Sequence, residues 1–528
     1  MFWFLVCVIS VILIYYVFIK PFNYWKAIGV PQDSVWKVWL EFFSGFMQYR
    51  SYAESVKKIY DDYSSFRYYG IYQFYSPTLI VKDPDLIKQI TVKDFDHFVD
   101  HYNFLPNSDE PLWERNLFFL KGEKWRRMRN ALTPFFTGSK MKVMFRLIDD
   151  CAKQFVEYYE EQGNSIIQIE MKDSFTRFAN DVIATTAFGV KCDSIRNRDN
   201  EFYLMGKEAT NFVGGITDVI KFLFIMTVPN FSRTFGIRIF KRKVGAFFTN
   251  VIKTNIKYRE QNEIIRPDMI HLLLEAKKGN FKEDTLNEII NDEDIAAQAF
   301  VFFLAGFESV ANLMYFTAYE LAVQPDIQKK LQKEIDDIVN SLDSGLTYEK
   351  LSSMRYMDMV MSETLRKWPS DIILDRICVK PYTIQPLKEG EKPIYLKEGD
   401  LINFPLYGIH RDPKYYPEPD RFDPERFNDE NKSNVNPYAY LPFGVGPRNC
   451  IGSRFALMET KVILFHLLAK FDIVITEKTP IPLILSKSKY QLDTDEGFWM
   501  ELKQLVAAHK LILDHIDVLY AQQGVFVG

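Results

Sequence analysis

The segment Phe443-Gly444-Val445-Gly446-Pro447-Arg448-Asn449-Cys450-Ile451-Gly452 sets one cysteine in a glycine-rich turn, directly ahead of a run with helical character over residues 453–461. Glycines let the backbone turn tightly and approach a flat ligand closely. The free N–H groups and positive dipole end of a following helix favour sulfur in its charged form. These residues describe a place to hold a thiolate. A lone thiolate is a ligand for haem iron, and its electron donation favours O–O cleavage. Cysteine is more often a small buried hydrophobe, so the weight rests on spacing: Phe, Gly, Arg, Cys and Gly stand as F-x-x-G-x-R-x-C-x-G.

Three further groupings have chemical potential. In Ala305-Gly306-Phe307-Glu308-Ser309 an acid and a hydroxyl interrupt an apolar stretch. Such a pair can organise waters that carry protons, or it can be a solvated charge beside a packing serine. Glu363 and Arg366, three apart and followed by Pro369, share a helical face as an ordinary ion pair would. Trp125 and Arg129 are four apart within the basic run Lys124-Trp125-Arg126-Arg127-Met128-Arg129, so both can point the same way, although a solvated basic face gives the same pattern.

Taken with Pro424-Glu425-Arg426-Phe427 between the Glu363 segment and the cysteine turn, these motifs resemble the cytochrome P450 superfamily, microsomal type. The resemblance implies a mainly α fold with a small β portion, with a long central helix over a haem held by the cysteine loop. It implies haem b as cofactor, Cys450 as its iron ligand, Phe443 in the haem-binding loop, and Trp125, Arg129, Arg376 and Arg448 toward the propionates. Glu308 and Ser309 take the oxygen-site positions, with serine where the family usually has threonine; the hydroxyl survives without the methyl that would restrict χ1. Glu363, Arg366 and Arg426 become a buried triad bracing the loop. Wording such as Arg266-Pro267-Asp268-Met269-Ile270-His271-Leu272-Leu273 looks most like insect family nine, which is related to vertebrate family three.

The implied activity is monooxygenation: one atom of O2 enters an apolar small molecule, whether a xenobiotic such as an insecticide or plant toxin or an endogenous lipid. Electrons would come from NADPH through a separate NADPH-cytochrome P450 reductase, with cytochrome b5 as a second donor, because no Rossmann glycine fingerprint or flavin-binding segment accompanies the loop. Lys124, Arg126 and Arg127 are candidates for that docking surface. Two alternatives stay open: a reductase-independent isomerase or dehydratase of peroxides, and a haem-binding protein without turnover.

The surrounding chain has to position these residues. Across 528 residues no Ser/Gly/Pro-rich linker, repeat or low-complexity tract divides the chain, which favours one large domain. Aromatics make up 16% of the chain, enough to line a core and an apolar cavity. A net charge of −4 leaves no electrostatic footprint for nucleic acid. Five scattered cysteines, Cys7, Cys151, Cys192, Cys378 and Cys450, suggest no disulfide framework. The pattern around Ile295, Ala299, Phe302, Gly306, Ser309 and Leu313 predicts a buried helix from about Glu293 to Val323, roughly 45 Å long. Gly306 within it suggests a close approach to its backbone.

Residues 1–19 carry no charged side chain and, as a helix, would span about 28 Å, near the hydrocarbon thickness of a bilayer. With Lys20 and Lys26 next along the chain, the reading is a transmembrane signal anchor over 1–20 in the endoplasmic-reticulum membrane, with the catalytic domain facing the cytosol. Residues 21–36, bounded by Pro21 and Pro31, are expected as a linker, 37–502 as the haem-thiolate domain and 503–528 as an atypical tail. Phe222-Leu223-Phe224-Ile225-Met226 is a candidate membrane contact, with a buried helix an equal reading of the same residues, and segments 101–119, 211–228, 302–309, 371–374 and 487–497 are expected to line the pocket.

Overall fold

The computed structural model describes residues 2–73, 76–103, 110–211, 221, 224–225, 235, 241–266, 268–277, 290–342, 345–387 and 390–505. The tail from 506 onward, residues 104–109 of the first pocket segment, most of the 211–228 pocket segment and most of the Phe222–Met226 patch lie outside these residues.

Helices dominate. The longest, Asp292–Val323, starts at a capping box in which Asn291 Oδ1 accepts from the Asp294 N–H at 2.9 Å and Asp294 Oδ2 accepts from the Asn291 N–H at 3.0 Å. Asp292, Glu293 and Asp294 fill its first turn, matching the dipole. By length and composition it could cross a membrane, but it is buried inside the body. Phe303 meets Phe248 at 4.7 Å and Phe307 at 5.1 Å, so an aromatic cluster walls one side. The close approach expected at Gly306 is real and comes from protein: a Cβ there would stand 3.0 Å from Ile183 Cδ1, at the end of the helix Met171–Ile183.

The β portion is three small sheets. The first has the order β1 (Tyr68–Gln73), β2 (Ser76–Val81), β7 (Leu401–Phe404), β4 (Leu374–Ile377). In it β2 and β7 run parallel, and the β4–β7 register sets Arg376 opposite Ile402. The second orders β3 (Ile166–Glu170), β9 (Trp499–Gln504) and β8 (Phe471–Ile475), so ordered pairing runs to Gln504, two residues past the expected boundary at 502. The third pairs β5 (Tyr382–Ile384) with β6 (Ile394–Leu396).

At the N-terminus, helix Phe2–Ile14 continues as a π turn, Tyr15–Ile19, and leaves Trp3 and Phe4 77% and 74% exposed. Residues 21–36, expected as a linker, are instead docked on the body. Trp25 is fully buried and its indole N–H donates to Ile71 O at 2.9 Å, while the Gly70 N–H donates to Pro31 O at 2.8 Å. Proline at the start of the turn Lys20–Asn23 redirects the chain onto the sheet rather than freeing it. The physical reason is apolar: Phe22 and Trp25 bury large aromatic surface against β1, which outweighs the flexibility a linker composition would suggest.

Gly70 is the contact that permits this docking, because an added Cβ would lie 2.1 Å from Trp25 Cγ. Gly70→Ala is expected to cost about 1–3 kcal/mol by overpacking, measured as a lower unfolding midpoint in denaturant.

Candidate functional site

The cysteine turn is built from its own backbone. The Cys450 N–H donates to Phe443 O at 2.8 Å, and the Asn449 N–H donates to Gly446 O at 3.0 Å. Gly444 and Gly446 have φ of +69° and +75°, the left-handed region that suits glycine. At Gly446 a Cβ would also come within 2.0 Å of Thr91 O, so the turn is pressed against a neighbouring segment of chain. The helix Ser453–Leu468 begins just after it, with Gly452 as its cap residue.

The Cys450 side chain is accessible although protein surrounds it, as expected of an atom facing an internal cleft. Burial pushes its thiol up, and the negative charge of Asp371 adds to this. Against these act the backbone N–H groups of Gly452 and Ser453 and the Arg129 guanidinium. The helix N-terminus thus supplies what a thiolate needs.

Arg129, on the helix Gly122–Leu132, grips the residue before the cysteine, donating to Asn449 O and Oδ1, both at 2.9 Å. Arg448 is buried and lies over the Trp125 ring at 4.1 Å. Its Nε–H donates to Val99 O at 2.7 Å and Nη2 to Leu120 O at 2.7 Å and Asp100 Oδ1 at 3.4 Å; Nη1 donates to Leu117 O and Phe118 O, both at 3.3 Å. These contacts engage its five donors. Burial lowers its pKa to about 9.

Arg376 differs. It is buried, Nη1 donates to Asp375 O at 2.6 Å, and its Nε has no partner among the described residues. Burial brings its pKa down to about 10. Beside it Asp375 accepts from the Tyr102 N–H at 2.6 Å and meets His101 Nδ1 at 3.0 Å.

The triad expected from sequence assembles. Arg366 donates from Nε to Glu363 Oε2 at 2.7 Å and from Nη2 to Glu363 Oε1 at 2.8 Å, both side chains fully buried. Arg426 reaches the same Oε1 at 3.4 Å. Arg366 also donates to His410 O at 2.9 Å. His410 Nε2 accepts the Leu441 N–H at 3.0 Å, two residues before Phe443. Burial, then Arg366 and Arg411, push the His410 pKa down to about 3, so it stays neutral and keeps that lone pair.

Glu308 and Ser309 diverge. The Ser309 hydroxyl donates to Ala305 O, and Ser309 O accepts from Ser370 Oγ at 3.3 Å. The Glu308 carboxyl lies beside the Thr210 hydroxyl; burial raises its pKa and Lys172 opposes this. Sequence reasoning missed Gln298, which accepts the Leu117 N–H at 2.8 Å and donates to Arg115 O at 2.7 Å, tying residues 115–117 to the long helix. Its only signal was being polar in an apolar run. A separate cleft of about 240 Å³, lined by Leu112, Arg242, Ala246, Glu293 and Ala296 among others, contains none of the site residues above.

A cysteine turn of this build, in a mainly helical body crossed by a long buried helix, makes a candidate haem-thiolate site, and comparison with known proteins gives the family. The cytochrome P450 family model matches residues 35–498. Cytochrome P450 9e2 of Blattella germanica is 44% identical over 479 residues, covering 86% of this chain and 89% of that protein. Probable cytochrome P450 9f2 of Drosophila melanogaster is 42% identical over 472 residues, covering 87% and 90%. Cytochrome P450 6k1 of Blattella germanica is 37% identical over 495 residues, covering 90% and 92%. The chain belongs to the cytochrome P450 family and is a monooxygenase of that family.

The family's haem fits what is present. Haem carries two anionic propionates on a flat ring, and the residues present offer a buried guanidinium whose Nε–H has no partner among the described residues, Arg376, and an exposed cysteine sulfur, Cys450.

Glu363→Gln would leave the Arg366 charge buried without its counter-charge. The expected loss is about 3–5 kcal/mol, seen as a lower thermal unfolding midpoint of the purified variant.

Proposed function

We propose that this protein is a membrane-anchored monooxygenase that uses haem b to insert one atom of O2 into apolar small molecules, xenobiotics or endogenous lipids, with electrons from NADPH through a separate reductase. The observation that carries the reading is the Cys450 sulfur at a helix N-terminus, accessible within an enclosed cleft. When bound, haem supplies oxygen activation. Cys450 would hold its iron, with Phe443 in the loop beneath, and Arg376 and Arg129 would meet the propionates. Arg448 and Trp125 would shape the same edge, with Arg448 already bonded to chain carbonyls.

The chain's own proton chemistry rests on Glu308 and Ser309. Because the Ser309 hydrogen is committed to Ala305 O, its lone pairs are what it offers to water. The raised pKa of Glu308 makes its carboxyl a proton holder at higher pH than a solvated glutamate.

The exposed apolar helix from Phe2, succeeded by Lys20 and Lys26, supports an anchor in the endoplasmic-reticulum membrane with the body on the cytosolic side. On the helix Gly122–Leu132, Lys124, Arg126 and Arg127 lie outside the buried face of Trp125 and Met128, which suits an acidic reductase or cytochrome b5, although Arg126 already pairs with Asp96.

Two outcomes test the reading. The reduced, carbon-monoxide-bound protein should absorb near 450 nm, as the family name records, and Cys450→Ala should abolish the band; its survival would overturn the assignment. Ser309→Ala should keep the band but lower product formed per NADPH by at least about twofold, with hydrogen peroxide rising to match. An unchanged ratio would make Ser309 a packing residue.

A further inference from the structure

Asp371 lies on the short connection between the helix Arg355–Lys367 and strand β4. The Ser370 hydroxyl beside it bonds Ser309 O, which pins this connection to the long helix at the oxygen-site serine. The Asp371 side chain is exposed at the surface of its loop, yet the protein packed around it desolvates the carboxylate, as it does the Cys450 sulfur. Its charge is felt at the Cys450 sulfur and at the Tyr490 hydroxyl. The Ser370 bond thus sets Asp371 beside the long helix at Ser309, within electrostatic reach of the Cys450 sulfur.

Its surroundings are unusual for a buried acid. Asp375, four residues on, is served by His101, the Tyr102 N–H and Arg376. Among the described residues no N–H or O–H donates to Asp371 and no lysine or arginine pairs with it; the one charge acting on it is the like charge of Asp375. A carboxylate so placed carries an uncompensated desolvation cost. Burial, then Asp375, raises its pKa to about 6, which leaves it largely ionised at neutral pH. Tyr490, whose hydroxyl feels the Asp371 charge, is 65% exposed and stacked on Tyr52 at 4.4 Å. Aromatic faces attract ammonium groups. Ala305, one turn before Ser309 on the long helix, is accessible in the middle of a buried helix and offers apolar wall.

We propose that Asp371 is a specificity-determining carboxylate that holds the cationic head of an amine-bearing apolar substrate, with the Tyr52–Tyr490 pair beside it. The proposal rests on the reading of the cleft as the substrate site and narrows its substrate class. A neutral hydrocarbon would leave the carboxylate unpaired; a tertiary or quaternary ammonium would satisfy it.

The test uses the haem-loaded full chain and equilibrium dialysis at neutral pH with two probes of matched shape, trimethyl(2-phenylethyl)ammonium and its carbon isostere, (3,3-dimethylbutyl)benzene. D371N should weaken ammonium binding about tenfold or more and leave the isostere within about twofold, while D371E keeps most of the ammonium affinity. Equal effects on both probes, or none on the ammonium, would overturn the proposal. So would a wild-type protein that binds the isostere and not the ammonium, whatever the variants do. The carbon-monoxide spectrum separates the two readings: a wild type without a band near 450 nm refutes the haem-thiolate site, whereas a normal band with charge-blind binding refutes Asp371 alone.

Discussion

A buried guanidinium is costly unless its N–H groups reach acceptors, and all those of Arg448 do, across pieces of chain distant in sequence. By bonding the carbonyls of Val99, Leu117, Phe118 and Leu120 and the Asp100 carboxylate, it fastens residues 99–100 and 117–120 to the cysteine turn. Gln298 in turn fastens residues 115–117 to the long helix. Two polar side chains, Arg448 and Gln298, thus tie the cysteine turn and the long helix to the same short stretch around residues 117–120. With its pKa lowered by burial to about 9, Arg448 remains charged at neutral pH, so this grip is charge-assisted.

The same logic governs the other flank. Glu363 and Arg366 are fully buried and satisfy each other at two points, with Arg426 and the Asp423 N–H completing the acceptor side. The network then reaches the loop through Arg366, His410 and the Leu441 N–H. Because His410 is held neutral, this link does not change over the physiological range. Charged residues stiffen both approaches to the cysteine, while the turn relies on glycine where Gly446 meets Thr91 O.

Within this rigid frame the groups facing the cleft are less completely paired. Arg376 Nε has no partner among the described residues, and Asp371 has no cation beside it there, whereas Asp375, between them in sequence, is saturated. An enclosed site with full networks behind it and unsatisfied charge in front is arranged to receive a ligand. On the proposals above, Arg376 would take an anionic propionate and Asp371 a cationic head.

Sequence alone determined the features that depend on local order along the chain. The spacing around Cys450, the ion pair Glu363 and Arg366 on one helical turn, and the long apolar helix were legible because each is fixed by helical period or by glycine's backbone freedom. Contacts between distant segments were not legible. Nothing near residue 448 shows that its side chain grips residues 99–100 and 117–120, and nothing in residues 21–36 shows that Trp25 would dock on Gly70. The approach at Gly306 could be anticipated, but its partner, Ile183, could not. Whether a polar side chain ends up paired, as Asp375 is, or facing the cleft alone, as Asp371 does, depends on which donors folding brings within hydrogen-bond range. Only the tertiary structure decides that, because those donors come from segments hundreds of residues away.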